Sequence, residues 1–415
     1  MIPLIPFFCF AVPKIGTAVR DYSEMARRID AYTGGIGLSA NARTCFDKTG
    51  GLKPFVSFNG KSLARNQAKM LDIIEELLFK HSFSDLSRLK SLLLEFRAGL
   101  ESALIQNGHR LAISVASRNL SPASALSEAW GGIHQLKAIK SLTGNLSDSS
   151  LESISNDLSA IAEKLFTCDN LKIALIGENN DLAQGLKLLN QSKVLSGKDR
   201  QVSDKSDDLS SYIDFDNKIT REGWSTSSAV SFVAQTFKAV RMQHEDAPAL
   251  SVISKILRSM YLHREIREKG GAYGGFAAYN SEDGLFSFAS YRDPHIVNTL
   301  KTYESAFDFI RSKNYTSEDI KEAILQVCSE IDKPHPPGPA AKKAFFRKIV
   351  SLSDDLRSHF KESLLALTKK QVTEVAEKYF TSSTKNQSIA VISGEDALIA
   401  ANKKLPGNPL ELYRI

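Results

Sequence analysis

The sequence predicts an α+β fold of two related domains in tandem, each a mostly antiparallel sheet with helices packed on one face. Its 415 residues exceed the length of one ordinary domain. Apolar patterns of helical period and short apolar runs typical of strands occur in both halves. A polar stretch without periodicity, residues 193–208, lies between the halves. We therefore predict domains at 1–195 and 215–415, joined by a linker at 196–214.

The first half is predicted to be mainly helical, with one strand near its end. Apolar residues recur at helical spacing in three segments: residues 62–80, 84–106 and 149–166. Asn107 and Gly108 are typical of a helix end, so we expect the second of these helices to stop there. The apolar run at 171–177 predicts a short strand.

The second half alternates strands and helices more evenly. The predicted strands are 231–240, 272–279, 285–290 and 388–393, the middle two joined as a hairpin through 281–284. The predicted helices are one that starts near Pro248 with Asp246 as its cap, then 294–312, 317–331 and further helix up to Tyr379. The proline-rich stretch 333–339 predicts a loop, because proline lacks the backbone donor that helices and strands need.

A repeated helix-then-strand pattern indicates that the two domains are related. Residues 162–167 read AEKLFT and precede the apolar run IALIG at 173–177. Residues 376–381 read AEKYFT and precede IAVISG at 389–394. Because both elements recur at nearly the same offset, duplication explains them better than chance similarity of one short helix.

Composition argues against two classes of partner and favours one compartment. Basic residues number 53 against 47 acidic ones, and no dense Lys/Arg run is interleaved with aromatic residues, which disfavours nucleic acid. Residues 2–12 are nearly all apolar, but two prolines interrupt them and they are too short to span a bilayer, so we interpret them as a buried segment and expect no membrane contact. Cys9, Cys45, Cys168 and Cys328 form no CxxC pair, which favours a reducing compartment.

The densest run of chemically useful residues is YLHREIREKGGAY, residues 261–273. A helix is predicted to end in charged residues, to turn at Gly270 and Gly271, and to continue as a strand that carries Tyr273. The guanidinium of Arg267 offers fixed donors to peptide carbonyls, and the phenol of Tyr273 can donate to a developing oxyanion. The same pattern also fits basic residues at a helix C-terminus, followed by an ordinary turn and strand.

Neighbouring patterns have plainer interpretations. His263 is a candidate to line the same cleft, although a surface or packing role fits it as well. His244, Glu245 and Asp246 resemble a metal cluster but also fit a solvated turn and helix cap, which we favour. The GGxxGG at 270–275 lacks the strand–glycine–helix order and the GK[ST] of a phosphate loop.

Two segments carry a resemblance to a known family. Residues 261–294, which contain REKGGAYGG and SYRDP, resemble the C-terminal half of the presequence protease family, within the pitrilysin and insulinase group of zinc metallopeptidases. Residues 15–36, IGTAVRDYSEMARRIDAYTGGI, resemble the start of the third domain of that family. The resemblance implies pitrilysin-type (LuxS/MPP-like) domains. It also implies that Arg267 and Tyr273 reach across a closed chamber towards zinc held by the N-terminal half.

The zinc motif of that group is missing from this sequence. The motif is an inverted HxxEH on a helix, and none of the eight histidines has another histidine four residues away. Alignment of the Gly16-Thr17 turn with the end of the motif helix puts Phe7, Phe10 and Ala11 where histidine, glutamate and histidine would be. Apolar side chains neither bind zinc nor accept a proton, so we expect no metal site here, and zinc in the N-terminal half of the full enzyme.

The resemblance therefore implies the C-terminal half of a zinc-dependent metalloendopeptidase that degrades oligopeptides. Such a half closes the chamber and contacts the scissile peptide through Arg267, Tyr273, Gly270, Gly271 and His263. Its expected partners are unstructured peptides and a zinc-bearing N-terminal half, in the same polypeptide or a separate chain, without which we expect no activity. The expected location is the cytoplasm in bacteria, and the mitochondrial matrix or a plastid in eukaryotes. The alternative is a non-catalytic structural or substrate-binding subunit of the same superfamily.

Overall fold

The structure is a computed structural model that describes residues 1–167, 171–192, 194, 215–381 and 387–415. The polar stretch at 193–208, apart from residue 194, and the whole predicted linker at 196–214 lie outside these residues. The first half contains two short helices, a hairpin and a run of longer helices. In chain order they are α1 (Ile5–Ala11), α2 (Tyr22–Tyr32), β1 (Ile36–Thr44), β2 (Leu52–Gly60), α3 (Gln67–Phe79), α4 (Leu86–Ser117), α5 (Pro122–Gly131), α6 (Ile133–Thr143), α7 (Asp148–Leu165) and α8 (Asn179–Gln191).

The second half is built on a six-stranded sheet. Its elements are β3 (Arg221–Ser225), β4 (Phe232–Lys238), α9 (Ala247–Ile256), a π-helix (Leu257–Glu268), β5 (Gly274–Asn280), β6 (Leu285–Tyr291), α10 (Val297–Arg311), α11 (Ser317–Ile331), α12 (Pro337–Ile349), α13 (Asp354–Leu365), α14 (Lys369–Tyr379), β7 (Gln387–Ser393), α15 (Glu395–Lys403) and β8 (Glu411–Arg414). The strand order is β5-β6-β4-β7-β3-β8, antiparallel as far as β7, with β3 parallel to both neighbours. The α+β class is thus confirmed, while the tandem duplication stays a prediction.

The helices of the second half cover one face of the six-stranded sheet, in line with the expectation for each domain, and helices of the first half cover the other face. On one face, Val233 and Phe237 of β4 pack in a core with α9, α10 and α14. On the other face, Phe232 and Ala234 pack against α4, which comes from the first half of the chain. Strands buried on both faces are apolar at successive positions rather than at alternate ones. β4 is buried continuously from Phe232 to Phe237, although Gln235 and Thr236 in this run are polar.

Helix α4 does not stop at Asn107 and Gly108 as predicted. Asn107 has non-helical angles, φ −122° and ψ 22°, but helix resumes beyond it and continues to Ser117. The second part of the helix buries Ala112 and Val115 against the six-stranded sheet. Local sequence therefore produces a kink at Asn107, while packing on the sheet keeps the next turns helical. Within the described residues, no helix has both the length and the apolar character that crossing a bilayer needs.

Gly108 is required where α4 crosses the sheet, and this contact gives a test of the packing. A Cβ atom at Gly108 would lie 2.5 Å from Cε2 of Phe232, a fully buried ring. We expect Gly108→Ala to lower the free energy of unfolding by about 1–3 kcal/mol, because neither the helix nor the ring can move aside cheaply. Gly99, on the same helix, has open space around it. Gly99→Ala is the control and should raise stability by about 0.5–1 kcal/mol. Urea unfolding followed by circular dichroism measures both, and shifts of the same sign would contradict this packing.

Two helix starts differ in detail from the prediction. Asp246 occupies the N-cap position of α9 as expected, but its carboxylate makes no capping bond. The carboxylate instead accepts hydrogen bonds from Lys378 Nζ at 2.6 Å and from the Tyr379 hydroxyl at 2.8 Å. Helix α12 begins at Pro337, so the predicted loop 333–339 ends early. Proline is tolerated in the first turn of a helix because the backbone N–H groups of that turn have no acceptor within the helix, so the missing N–H of proline costs no hydrogen bond.

The predicted strand at 171–177 was wrong. These residues join no strand among the described part of the chain, and the sheet of the first half is the two-stranded β1-β2 hairpin. Ile173, Leu175 and Ile176 are exposed rather than buried. The repeat is therefore complete only in the second half, where AEKYFT is followed by β7.

Candidate functional site

The π-helix Leu257–Glu268 carries Arg267 and His263 on its exposed side. Arg267 Nη1 lies 3.3 Å from His263 Nε2, and His263 Nδ1 lies 3.2 Å from Glu268 Oε1. A guanidinium only donates hydrogen bonds, so Nε2 accepts and the ring proton sits on Nδ1, facing Glu268. His263 and Glu268 therefore orient the Arg267 side chain. The predicted contact between His263 and substrate remains a prediction.

Gly270 and Gly271 turn the chain from the π-helix into β5. A Cβ atom at Gly270 would lie 2.6 Å from the carbonyl oxygen of Ile266, which excludes any side chain there. Gly271 has φ +75°, in the left-handed region that glycine adopts without strain. The Gly271 N–H donates to Arg267 O at 3.1 Å and closes the turn. Backbone geometry therefore explains why glycine stands at both positions. The predicted contact of Gly270 and Gly271 with substrate stays a prediction.

The turn brings Arg267 and Tyr273 side by side. The Arg267 Cζ atom lies 6.0 Å from the centre of the Tyr273 ring, and 68% of Tyr273 is exposed. Tyr273 is fixed by its backbone N–H, which donates to Tyr291 O at 3.0 Å, and by edge-on ring contact with Tyr291 at 5.6 Å. Among the described residues, no hydrogen bond involves the Tyr273 hydroxyl. The pair thus presents oriented donors to the outside of the chain.

The segment after β6 lies beside Tyr273 through Tyr291, and the roles of its side chains were not predicted. Arg292 has φ +50°, which is uncommon for a residue with a side chain, and its Cζ lies 5.4 Å over the Tyr291 ring. Asp293 is buried and accepts a hydrogen bond from the His295 N–H at 2.9 Å and from the Thr299 hydroxyl at 2.7 Å. The Asp293 contacts hold the turn that carries Arg292. The sequence signal for this turn was the motif SYRDP, which stands at the end of a predicted strand and closes with proline.

His109, from α4 in the first half, completes the aromatic support. Its ring lies 4.8 Å from Tyr291 and 5.4 Å from Phe276. Burial lowers the pKa of His109, so the ring is neutral at physiological pH. Its Nδ1 is buried without a hydrogen-bond partner among the described residues. No local pattern identifies His109, because its position depends on how α4 packs across the sheet.

The helix predicted to replace a zinc-binding helix is a core element. Phe7 and Ala11 of α1 are fully buried. The rings of Phe7 and Phe10 lie 5.6 Å and 5.2 Å from that of Phe96 on α4. Three aromatic rings in contact leave no room or ligand atom for a metal ion. Within the described ranges, no group of three or more His, Cys, Asp or Glu side chains is arranged to hold one.

The described cysteines are free thiols. Cys9 and Cys45 are buried, Cys328 is half-buried, and Cys168 lies outside the described residues. Burial raises the pKa of Cys9 to about 12, so it stays protonated and packs as a small apolar residue.

Comparison with known proteins finds a family match in each half of the chain. Residues 1–142 match a family described as associated with subfamily C of the M16 peptidases, and residues 226–395 match one described as PreP C-terminal domain. The mitochondrial presequence protease of Xenopus tropicalis is 29% identical over 421 residues, which cover 96% of this chain and 40% of that protein. This chain therefore spans well under half of the curated relatives it matches.

Solved structures share the fold. A conserved protein from Enterococcus faecalis superposes with a TM-score of 0.64 at 14% identity, covering 95% of this chain and 91% of the other. A peptidase M16 inactive domain from Pseudomonas fluorescens superposes with a TM-score of 0.54 at 18% identity, covering 97% and 89%. At these identities the likeness establishes the fold and nothing about the site.

Proposed function

Since this chain belongs to the presequence protease family of M16 peptidases, we propose that it is the C-terminal half of a zinc-dependent peptidase that degrades oligopeptides. It would consist of two pitrilysin-type domains that close a chamber over a zinc-bearing N-terminal half. The observation that carries the proposal is the exposed Arg267–Tyr273 pair, in which Arg267 contacts His263 and Tyr273 contacts Tyr291.

In this proposal the chain contributes binding and electrostatic stabilisation. The Arg267 guanidinium donates hydrogen bonds to a carbonyl oxygen of the peptide next to the scissile bond. The Tyr273 hydroxyl donates to the oxygen that gains negative charge as water attacks the scissile carbonyl. Zinc, if bound by the partner half, would supply the activated water. The proposal matches the open setting of the pair, which becomes enclosed only when the second half covers it.

The relatives support a proposal for the substrates and the location. They are mitochondrial presequence proteases, so we propose unstructured targeting peptides as substrates. In a eukaryote the location would be the mitochondrial matrix or a plastid, and in a bacterium the cytoplasm. The free thiols of Cys9 and Cys45 are compatible with these reducing compartments.

A non-catalytic subunit is the second candidate. The apolar packing of Phe7, Phe10 and Phe96 in place of a zinc-binding helix is compatible with both candidates. It differs from the first candidate in one respect: the Arg267–Tyr273 pair would then be dispensable for turnover in the assembly.

The proposal predicts that the purified chain has no peptidase activity on its own. An internally quenched, unstructured peptide should be cleaved only when a zinc-bearing half is present, and removal of zinc with a chelator should abolish that cleavage. The reason is that this chain is expected to supply no zinc ligand and no general base. Chelator-resistant cleavage by the chain alone, retained through a second purification step, would refute the proposal.

A further inference from the structure

The chain at the end of β6 has one residue too many for regular pairing with β4. The two strands pair in regular register up to Ala234 opposite Ala289. Beyond that pair, Ser231 lies opposite Asp293, and the backbone N–H of each donates to the other's carbonyl oxygen at 2.8 Å. Two residues separate Ala234 from Ser231, whereas three separate Ala289 from Asp293. The extra residue makes a β-bulge, a feature that redirects a side chain and is frequent next to active sites.

Arg292 lies in this bulge with φ +50°. Lys313 and Ser351 also have positive φ, but both follow the end of a helix, where the left-handed conformation is common. Arg292 follows a strand, and a residue with a Cβ atom is strained there. Strain of this kind beside a candidate site indicates that the position of the side chain serves a function.

The bulge is fixed against the turn that carries Tyr273. The buried carboxylate of Asp293 accepts two hydrogen bonds from the residues that follow it. Pro294 packs beside the other turn, because a Cβ atom at Gly271 would lie 3.8 Å from Pro294 Cγ. The backbone N–H of Tyr273 donates to Tyr291 O, next to Arg292 in the chain. The two turns therefore form one surface.

The guanidinium of Arg292 is exposed beside the candidate site. Among the described residues, none makes an ion pair or a hydrogen bond with this side chain. Its Cζ lies 5.4 Å from the centre of the Tyr291 ring, which lies 5.6 Å from the Tyr273 ring. Arg292 Cζ is thus at most about 11 Å from the Tyr273 ring, a span of about three residues of an extended peptide.

We propose that Arg292 binds a carboxylate of the peptide, within about three residues of the scissile bond. A planar guanidinium without an internal partner matches a carboxylate through two parallel hydrogen bonds. Arg267 adds a second positive charge to the same surface. The carboxylate is that of an acidic side chain or of the peptide's C-terminus. Because targeting peptides contain few acidic residues, we expect the C-terminus to be the main source. The inference rests on the proposed function, which supplies the peptide.

The first test compares kcat/KM of the assembled enzyme on two sets of internally quenched peptides. In one set, peptides without acidic residues end at different distances from the cleaved bond, each with a free C-terminus or an amide. In the other set, amidated peptides carry a single glutamate or glutamine at each position near that bond. We expect the peptide with the carboxylate to be preferred by about 10-fold in at least one set, and Arg292→Gln to abolish the preference. The set that responds identifies the source.

Arg258→Gln is the matched control for Arg292→Gln. Arg258 is also exposed, and its Cζ lies 5.3 Å over an aromatic ring, that of Phe276. It stands in the π-helix nine residues before Arg267, so its loss should leave the preference intact. Ratios of kcat/KM that Arg292→Gln leaves unchanged in both sets would overturn the proposal, and so would an equal loss in Arg258→Gln.

The second test separates recognition of the peptide from a role in folding. Glycine adopts φ +50° without strain, so Arg292→Gly should raise the urea midpoint of unfolding while it abolishes the preference. Arg292→Lys keeps the charge but not the paired donors, and should retain part of the preference. A lower midpoint in Arg292→Gly would overturn the proposal, because the side chain would then stabilise the fold.

Failure of this proposal differs from failure of the proposed function. The Tyr273→Phe enzyme should lose turnover but keep its preference for the carboxylate, because Arg292 is unchanged. An active assembly whose preference does not depend on Arg292 overturns the carboxylate site alone. An assembly without zinc-dependent cleavage overturns the proposed function and this inference together.

Discussion

Replacing Tyr273 by phenylalanine is expected to lower kcat of the assembled peptidase by about 100- to 1,000-fold. The substitution removes only the hydroxyl and keeps the ring, its contact with Tyr291 and its position beside Arg267. A donor that acts on the developing oxyanion stabilises the transition state more than the bound substrate, so kcat falls while KM changes little. Steady-state cleavage of a quenched peptide measures both constants.

Tyr22 provides a matched control for this experiment. It is 41% exposed on α2 and also pairs with an arginine, the Cζ of Arg88 lying 4.2 Å from its ring centre. Tyr22→Phe should leave kcat unchanged, because it lies outside the proposed contact with the peptide. A rise in KM with unchanged kcat in Tyr273→Phe would mean that the hydroxyl only binds the substrate. No effect on either constant would favour the non-catalytic subunit.

Replacing Glu222 by alanine is expected to cost about 3–5 kcal/mol of folding stability. Glu222 on β3 is 1% exposed, and its Oε2 accepts from Arg118 Nη1 at 2.6 Å and from Trp224 Nε1 at 2.9 Å. Arg118 directly follows α4, so this contact ties the first half of the chain to the six-stranded sheet. Alanine would leave a largely buried guanidinium and an indole N–H without their acceptor.

The control for Glu222 is an ion pair on the surface. Glu395 pairs with Arg414 at 3.0 Å, and both side chains are well exposed. Glu395→Ala should cost less than about 1 kcal/mol, because water and salt already screen that pair. Guanidinium unfolding, followed by tryptophan fluorescence, measures both variants. A loss for Glu222→Ala no larger than that for Glu395→Ala would show that the buried pair does not hold the halves together.

The sequence predicted those features that residues close together in the chain determine. Arg267, Gly271 and Tyr273 lie within a few residues of one another, so a helix end and one turn were enough to bring them together. The hairpin through 281–284 was also predictable from nearby residues, since its turn contains a glycine. Gly284 adopts φ +69°, an angle that favours glycine.

What sequence reasoning missed depends on contacts between distant segments. His109 reaches Tyr291 only because α4 crosses the sheet, a packing that no short pattern encodes. The apolar run at 171–177 has the composition of a strand, but a strand needs a paired neighbour, and none of the described strands is one. Composition alone predicts that this run is buried. Whether it is buried depends on a neighbouring strand with which it can pair.

Helix α4 also limits how the molecule can move. At about 1.5 Å per residue its 32 residues form a rod close to 48 Å long, apart from the kink. Leu89 and Leu93 anchor one end in the core of the first half, and Ala112 and Val115 anchor the other on the sheet. A helix packed at both ends would make the two halves of this chain move together. Opening and closing of a chamber would then pivot where this chain meets its partner, and would carry Arg267 and Tyr273 in and out together.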